Sequence, residues 1–301
     1  MKRLIPALAL LLGTAAPALA APQYFETPDA AVAALVAALD SKDKAAVLAI
    51  FGPEAEDVVS SGDPEEDRQI WGEFLADIHA IHRLEPAENG RMTLLSGREM
   101  WPFPAELVKS DAGWSFDAEG ARQEVLARRI GRNELEIIAI MHRIGEIQAN
   151  YRATDEDGDG VMEFASSILS SPGKRDGLYW ADAPDEEPSP FDETLARANF
   201  TGYNHDGEDR EPQPYEGYYF RILQKQGPAA PGGAYSYMIG ENMVAGHALV
   251  AYPAAYGDSG IMSFMVAEPG IVYQADLGED TLEKAAKIEA FDPTDEWSPV
   301  E

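Results

Sequence analysis

The stretch Arg128-Arg-Ile-Gly-Arg-Asn-Glu-Leu-Glu-Ile-Ile-Ala-Ile-Met-His-Arg-Ile-Gly-Glu-Ile-Gln-Ala-Asn-Tyr151 runs directly into the acidic loop Asp155-Glu-Asp-Gly-Asp-Gly-Val-Met-Glu163. Apolar residues fall at Ile130, Leu135, Ile137, Ile138, Ile140, Met141, Ile144, Ile147 and Tyr151, the three-and-four spacing of a helix with a broad buried face. Such a stripe has to be covered, and the covering surface must come from strands elsewhere in the chain. Outward from this helix the sequence divides into an N-terminal α+β domain over residues 22–120 and a C-terminal domain over residues 121–301.

The chain opens with two basic residues, an apolar run and the small-x-small ending Ala18-Leu19-Ala20, so residues 1–20 read as a secretory signal peptide. That predicts a periplasmic or secreted protein. No later run approaches the roughly 20 apolar residues that a membrane span needs. With 53 Asp+Glu against 23 Lys+Arg the formal charge is −30, and losing Lys2 and Arg3 with the leader makes the remainder more acidic still. A polyanion of this size does not seek nucleic acid, nor anionic lipid unless a divalent cation bridges the two. There is no cysteine, so no disulfide can staple the fold.

After the leader, Thr27-Pro28-Asp29 predicts a helix start, with Thr27 as cap and Pro28 at the first helical position. A second helix runs from Lys44 to Phe51 and stops at Gly52-Pro53. Asp63-Pro-Glu-Glu66 opens a third, through about Ile81, with Ile70, Trp71, Phe74, Leu75 and Ile78 on one face. Strand candidates follow at 91–95, 101–108 and 113–116. Beyond the acidic loop, a turn at Pro172-Gly-Lys leads into Leu178-Tyr-Trp180, and residues 181–190 are an exposed Asp/Glu/Pro-rich loop. Strands at 217–223, 234–239, 243–252, 261–266 and 271–274 predict an antiparallel meander, closed by a helix that Asp280 caps and that ends near Ala290.

Helices followed by a small meander ending in Gly113-Trp-Ser-Phe-Asp117 resemble, in element order, the cone-shaped domains of the nuclear transport factor 2 superfamily. Many of those domains hold a ligand at the concave face of the sheet or serve as binding modules. Phe51-Gly-Pro-Glu, Ser60-Ser-Gly-Asp, Trp101-Pro-Phe-Pro, Ala127-Arg-Arg-Ile-Gly-Arg-Asn-Glu-Leu, Asp157-Gly-Asp-Gly, Pro172-Gly-Lys, Asp176-Gly-Leu-Tyr-Trp, Gly217-Tyr-Tyr-Phe-Arg-Ile-Leu, Gly227-Pro-Ala-Ala-Pro-Gly-Gly-Ala-Tyr and Ala251-Tyr-Pro-Ala are spread along nearly the whole chain. Through them the sequence resembles an exported bacterial family, the domain of unknown function 2950 family. Asn133-Glu134, Gln148 and Tyr151, the acidic loop and Ala251-Tyr-Pro-Ala-Ala-Tyr-Gly-Asp-Ser-Gly260 carry a second likeness. Through them the C-terminal half is similar to the head group of pseudopilins. A pseudopilin helix continues from an apolar membrane segment, whereas here a separate domain precedes it.

Among motifs that carry chemistry, Asp155-x-Asp157-x-Asp159-Gly160 stands first. Alternating carboxylates fold around a cation of Ca²⁺ size, Gly160 supplies the bend, and the Val161 carbonyl and Glu163 side chain stand where they complete an oxygen shell. A helix-loop-helix calcium motif would want a further Glu where this chain has Ser166, and a solvated acidic turn is the competing reading. Asn204-x-Asp206-Gly-x-Asp209 is a poorer echo. Gly257-Asp-Ser-Gly260 matches a serine-protease nucleophile stretch, but no catalytic histidine segment accompanies it, and a tight turn explains it better. His79-x-x-His82 lacks a third zinc ligand nearby. Two functions follow as expectations: a non-catalytic, calcium-stabilised module binding an exported protein or envelope component, or a carboxylate-dependent hydrolase with its site in the N-terminal cavity.

Overall fold

Thr27 opens the first helix in the computed structural model: its Oγ1 accepts the Ala30 amide at 3.1 Å, and Pro28–Asp40 follows. The described residues are 22–60, 63–181, 188–199 and 211–300. The expected leader, most of the Asp/Glu/Pro-rich loop, and the Asn204 to Asp209 echo with His205 lie outside them. They form two compact units that divide between Val125 and Leu126.

In the first unit Thr27 and Asp63 cap where the sequence places them, and Asp43 is a further cap not singled out from sequence. Asp43 accepts the Ala45 amide at the head of Lys44–Phe51, and Asp63 accepts the Glu65 amide at the head of Pro64–Ala80. The sheet is antiparallel throughout, in the order His82–Pro86, Met92–Ser96, Leu107–Ser110, Gly113–Phe116, with Trp101–Pro102 also on Met92–Ser96. Helix residues Val32, Leu35, Val47, Ile50 and Ile78 share one core with Leu94, Leu107 and Phe116.

Three expectations change here. The strand foreseen over 101–108 is two short strands, because Pro102 and Pro104 have no amide to give a ladder and Ala105 turns into the core. His82–Pro86 is an unforeseen strand whose single apolar residue, Leu84, gives no alternation to read. Ile70, placed on the buried face of its helix, is 50% exposed.

The long helix, Ala118–Arg152, is 35 residues and begins ten residues before the stretch read from sequence, and the second unit is organised on its part from Leu126 onward. Ile137, Ile140, Met141, Ile144 and Tyr151 share one core with Tyr218, Phe220, Val250 and Phe264 of an antiparallel sheet. Its order is Ser298–Pro299, Val272–Asp276, Met262–Ala267, Ala248–Pro253, Tyr218–Leu223. Burying each such aliphatic side chain contributes about 1.5–3 kcal/mol, so this stripe outweighs any single polar contact. Leu135 departs from the expected stripe and is 68% exposed.

Polar side chains at both ends of the stripe set its register. Glu134 Oε1 accepts the Ile261 and Met262 amides, both at 2.9 Å, and Asn133 Nδ2 donates to the Ser259 carbonyl. About one turn from the far end, buried Gln148 pairs with both backbone groups of Ala165, donating at 3.1 Å and accepting at 2.9 Å. Tyr151 donates to the Arg175 carbonyl. Ser167–Leu169 and Gly177–Tyr179 add an unforeseen parallel pair. The strand expected over 234–239 divides into Tyr235–Ser236 and Met238–Ile239, and the one over 243–252 into Asn242–Met243 and Ala248–Pro253. Asp280 makes no side-chain cap, and the last helix ends at Ala286. The whole is an α+β fold. Among the described residues no helix is long and apolar enough to cross a membrane.

His247 lies inside this second core with its ring 4.8 Å from Phe164, and its Nδ1 has no hydrogen-bond partner among the described residues. Burial pushes its imidazole from 6.5 down to about 4. The unfolded chain therefore takes up a proton that the folded one refuses. Stability from this group is whole above the unfolded value and is lost as pH falls toward about 4, by at most about 3 kcal/mol. Urea melts between neutrality and that pH should show the loss in the wild type and a flatter profile in His247→Phe.

Candidate functional site

The acidic loop leaves the long helix at Arg152 and is shaped by its own carboxylates. Asp155 Oδ1 accepts the Gly158 amide and Oδ2 the Gly160 amide, each at 2.9 Å. Asp157 accepts from the Asp159 amide and Asp159 from the Val161 amide, at 3.2 and 2.7 Å. Gly158 and Gly160 sit at φ 76° and 91°, a backbone region open to glycine without strain, which lets the chain curl back on itself. Amide donors thus aim the three side chains, and one oxygen from each of Asp155, Asp157 and Asp159 lies within 4.8 Å of the others. A carboxylate oxygen that accepts one amide keeps a second lone pair for a cation.

The other two residues expected in the shell stand apart from this trio. Val161 is engaged through its amide as described, with its side chain partly exposed. Glu163 is buried, and its Oε2 accepts the Met243 amide at 2.6 Å, next to the bridge joining Phe164 to Met243. Burial pushes the Glu163 carboxyl up, and the charges of Asp157, Asp159 and Asp176 add to the effect against the Met243 amide. Asn242, which sequence reasoning missed, reaches Asp159 Oδ2 through its Nδ2. It lies 83 positions away, and no local pattern could have flagged it. The loop is therefore tied to the Met238–Ile239 and Asn242–Met243 hairpin at two adjacent residues.

The remaining candidates separate cleanly. Ser259 of the protease-like stretch donates its hydroxyl to the Gly217 carbonyl at 2.8 Å and accepts the Ala255 amide at 3.0 Å. A methyl at the following Gly260 would lie 2.0 Å from the Tyr218 hydroxyl, so this glycine is required by close approach of a core side chain. The stretch is a turn clamped by Asn133 and Glu134, as its spacing suggested. His79 and His82 line a cleft of about 470 Å³ in the first unit together with Asp29, Asp40, Arg83 and an apolar floor that includes Val32 and Ile78. His79 Nε2 is 3.8 Å from Asp40 Oδ2, and among the described residues only the three aspartates form a group with metal-binding spacing.

Fold and loop define a class: a two-unit α+β protein with a three-aspartate loop on the end of its long helix. The sequence model of the family described as "Protein of unknown function (DUF2950)" matches residues 22–300, and the chain belongs to that family. No curated protein and no solved structure matches it.

Two outcomes follow from this geometry. Ser259→Ala should lower stability by about 1 kcal/mol in urea melts, because the Ala255 amide loses its acceptor while the Gly217 carbonyl keeps the Ala254 amide, and a fluorophosphonate probe should leave Ser259 unlabelled in the wild type. For Glu163, the folded value is raised above the ordinary 4.5, so its ionisation opposes folding. In chelator its share of stability falls as pH rises through the window from 4.5 to the raised value. Glu163→Gln keeps an oxygen for the Met243 amide and should abolish that decline, read as melting temperature against pH.

Proposed function

We propose that this chain is an exported, periplasmic or secreted, non-catalytic module whose second unit is stabilised by Ca²⁺ at the loop of Asp155, Asp157, Asp159, Val161 and Glu163, and which binds a partner protein or envelope component. The observation that carries the calcium reading is the convergence of three aspartate oxygens, each aimed by a backbone amide, within 4.8 Å. Hard oxygen donors in a flexible turn suit Ca²⁺ better than Zn²⁺, which prefers nitrogen and sulfur. A cation there would offset the repulsion among three carboxylates in a chain of net charge −30 and would favour the ionised form of Glu163. Because Asn242 and Glu163 tie the loop to the hairpin, binding and folding of the second unit would be linked. Likeness to nuclear transport factor 2 domains and pseudopilin heads enters as fold-level analogy, which carries no activity.

A second reading, a carboxylate-dependent hydrolase in the first unit, has one observation in its favour: the cleft sets His79 beside Asp40. Its lining contains no hydroxyl or thiol nucleophile, and its apolar floor suits binding. Turnover of an ester, peptide or glycoside panel that disappears in Asp40→Asn would favour this reading.

Thermal melts in chelator and in millimolar CaCl₂ test the calcium proposal. At about 100 times its dissociation constant, calcium adds roughly 2.7 kcal/mol, a shift of several degrees. Asp157→Ala and Asp159→Ala should lose that shift. Identical wild-type melts in both buffers, or mutants that keep the full shift, leave the loop as an acidic turn.

A further inference from the structure

The cleft of the first unit runs along the unpaired edge of a sheet. Its lining takes Asp29, Val32, Ala33, Val36, Ala37 and Asp40 from one face of Pro28–Asp40, and His82, Arg83 and Leu84 from the strand. Successive strand side chains point to opposite faces, so a cleft lined by three consecutive residues fits one that lies along the strand's edge. His82–Pro86 is the terminal strand of its sheet and pairs only with Met92–Ser96.

The hydrogen-bond phase of that pairing identifies which groups face the cleft. Gly97 donates to the Ile81 carbonyl and Ala87 to the Arg91 carbonyl, which with the register makes residues 81, 83, 85 and 87 the bonded positions. The backbone N–H and C=O of His82 and Leu84 therefore point outward, and none of the described residues pairs with them. Pro86, with no amide, ends the usable edge. Between helix and strand the floor is apolar, formed by Val32 and Ile78, with Val36 beside it.

An unpaired edge, a helical wall and an apolar floor are the parts used to bind an extended peptide by strand addition. Charge selects among such peptides. Asp29 stands on the cleft wall with no cationic partner among the described residues, whereas Asp40 faces His79 and Arg83 is paired with Glu85. From Asp29 to Asp40 the helix covers about 16 Å, the length of about five extended residues.

We infer that this cleft binds an extended segment of a partner protein as an added strand on His82 and Leu84, with apolar side chains at alternate positions and a basic residue at the Asp29 end. The inference goes beyond the calcium proposal and is independent of the acidic loop.

Selection from a random heptapeptide display library on the immobilised full chain, followed by fluorescence anisotropy of the enriched peptides, tests it. Enriched peptides should alternate apolar residues and carry Lys or Arg near one end. Their affinity should fall roughly tenfold or more in Ala37→Trp, which fills the cleft from an exposed helix position. It should fall likewise in His82→Pro, which removes one outward amide but no ladder bond and follows Ile81 in the extended conformation that proline demands of its predecessor. Asp29→Asn should weaken the basic peptide and not its Gln-substituted version. Melts matching the wild type confirm that both blocking variants fold; Ala33→Arg is a second block should either fail to fold. No enrichment, or undiminished binding by folded blocking variants, overturns the proposal.

Discussion

The second unit depends on one requirement, that the apolar stripe of a 35-residue helix be removed from water. Ile137, Ile140, Met141 and Ile144 meet it by packing with strand residues such as Phe220, Val250 and Phe264. Burial of this kind supplies most of the free energy but is indifferent to a slide of one turn. Direction comes from polar side chains on the same helix. Glu134 and Asn133 grip the turn from Ser259 to Met262, and Gln148 pairs with Ala165 as a neighbouring strand would. Each bond is worth on the order of 1 kcal/mol, yet a shifted helix would leave all of these amides and carbonyls unsatisfied. The stripe gives the stability and the clamps give the register.

The acidic loop inherits its position from that register. Gln148 and Tyr151 lie in the last turns of the helix and hold Ala165 and Arg175, so the intervening chain must turn sharply between fixed points. Its carboxylates satisfy the amides of that turn, and Asp159 and Glu163 also meet Asn242 and Met243 of a hairpin contributed from far along the chain. One loop thereby joins helix and hairpin of the same unit while concentrating negative charge. Glu163 carries the cost of that arrangement, its ionisation opposed by burial and by its acidic neighbours.

The first unit distributes its chemistry differently. Its helices cover one side of a small sheet, and the cleft with Asp29, Asp40, His79 and His82 arises where the first helix passes the terminal strand. The exposed backbone of that strand, rather than any cluster of reactive side chains, is its distinguishing feature.

By itself the sequence determined whatever depends on neighbours within a few positions. Thr27 and Asp63 cap helices because a side-chain oxygen reaches an amide two or three residues on, and the three aspartates converge because alternation in a glycine turn brings them together. The periodicity of the long helix and the α+β class were legible for the same reason. Tertiary structure alone decided what depends on distant partners. Leu135 and Ile70 fit their apolar stripes but face water, since a stripe is only as wide as the surface that covers it. His82–Pro86 became a strand through its ladder with Met92–Ser96 and not through its own residues, and Asn242 joined the loop across 83 positions. A local pattern records what a segment can bury or cap; which partner meets it is a property of the folded chain.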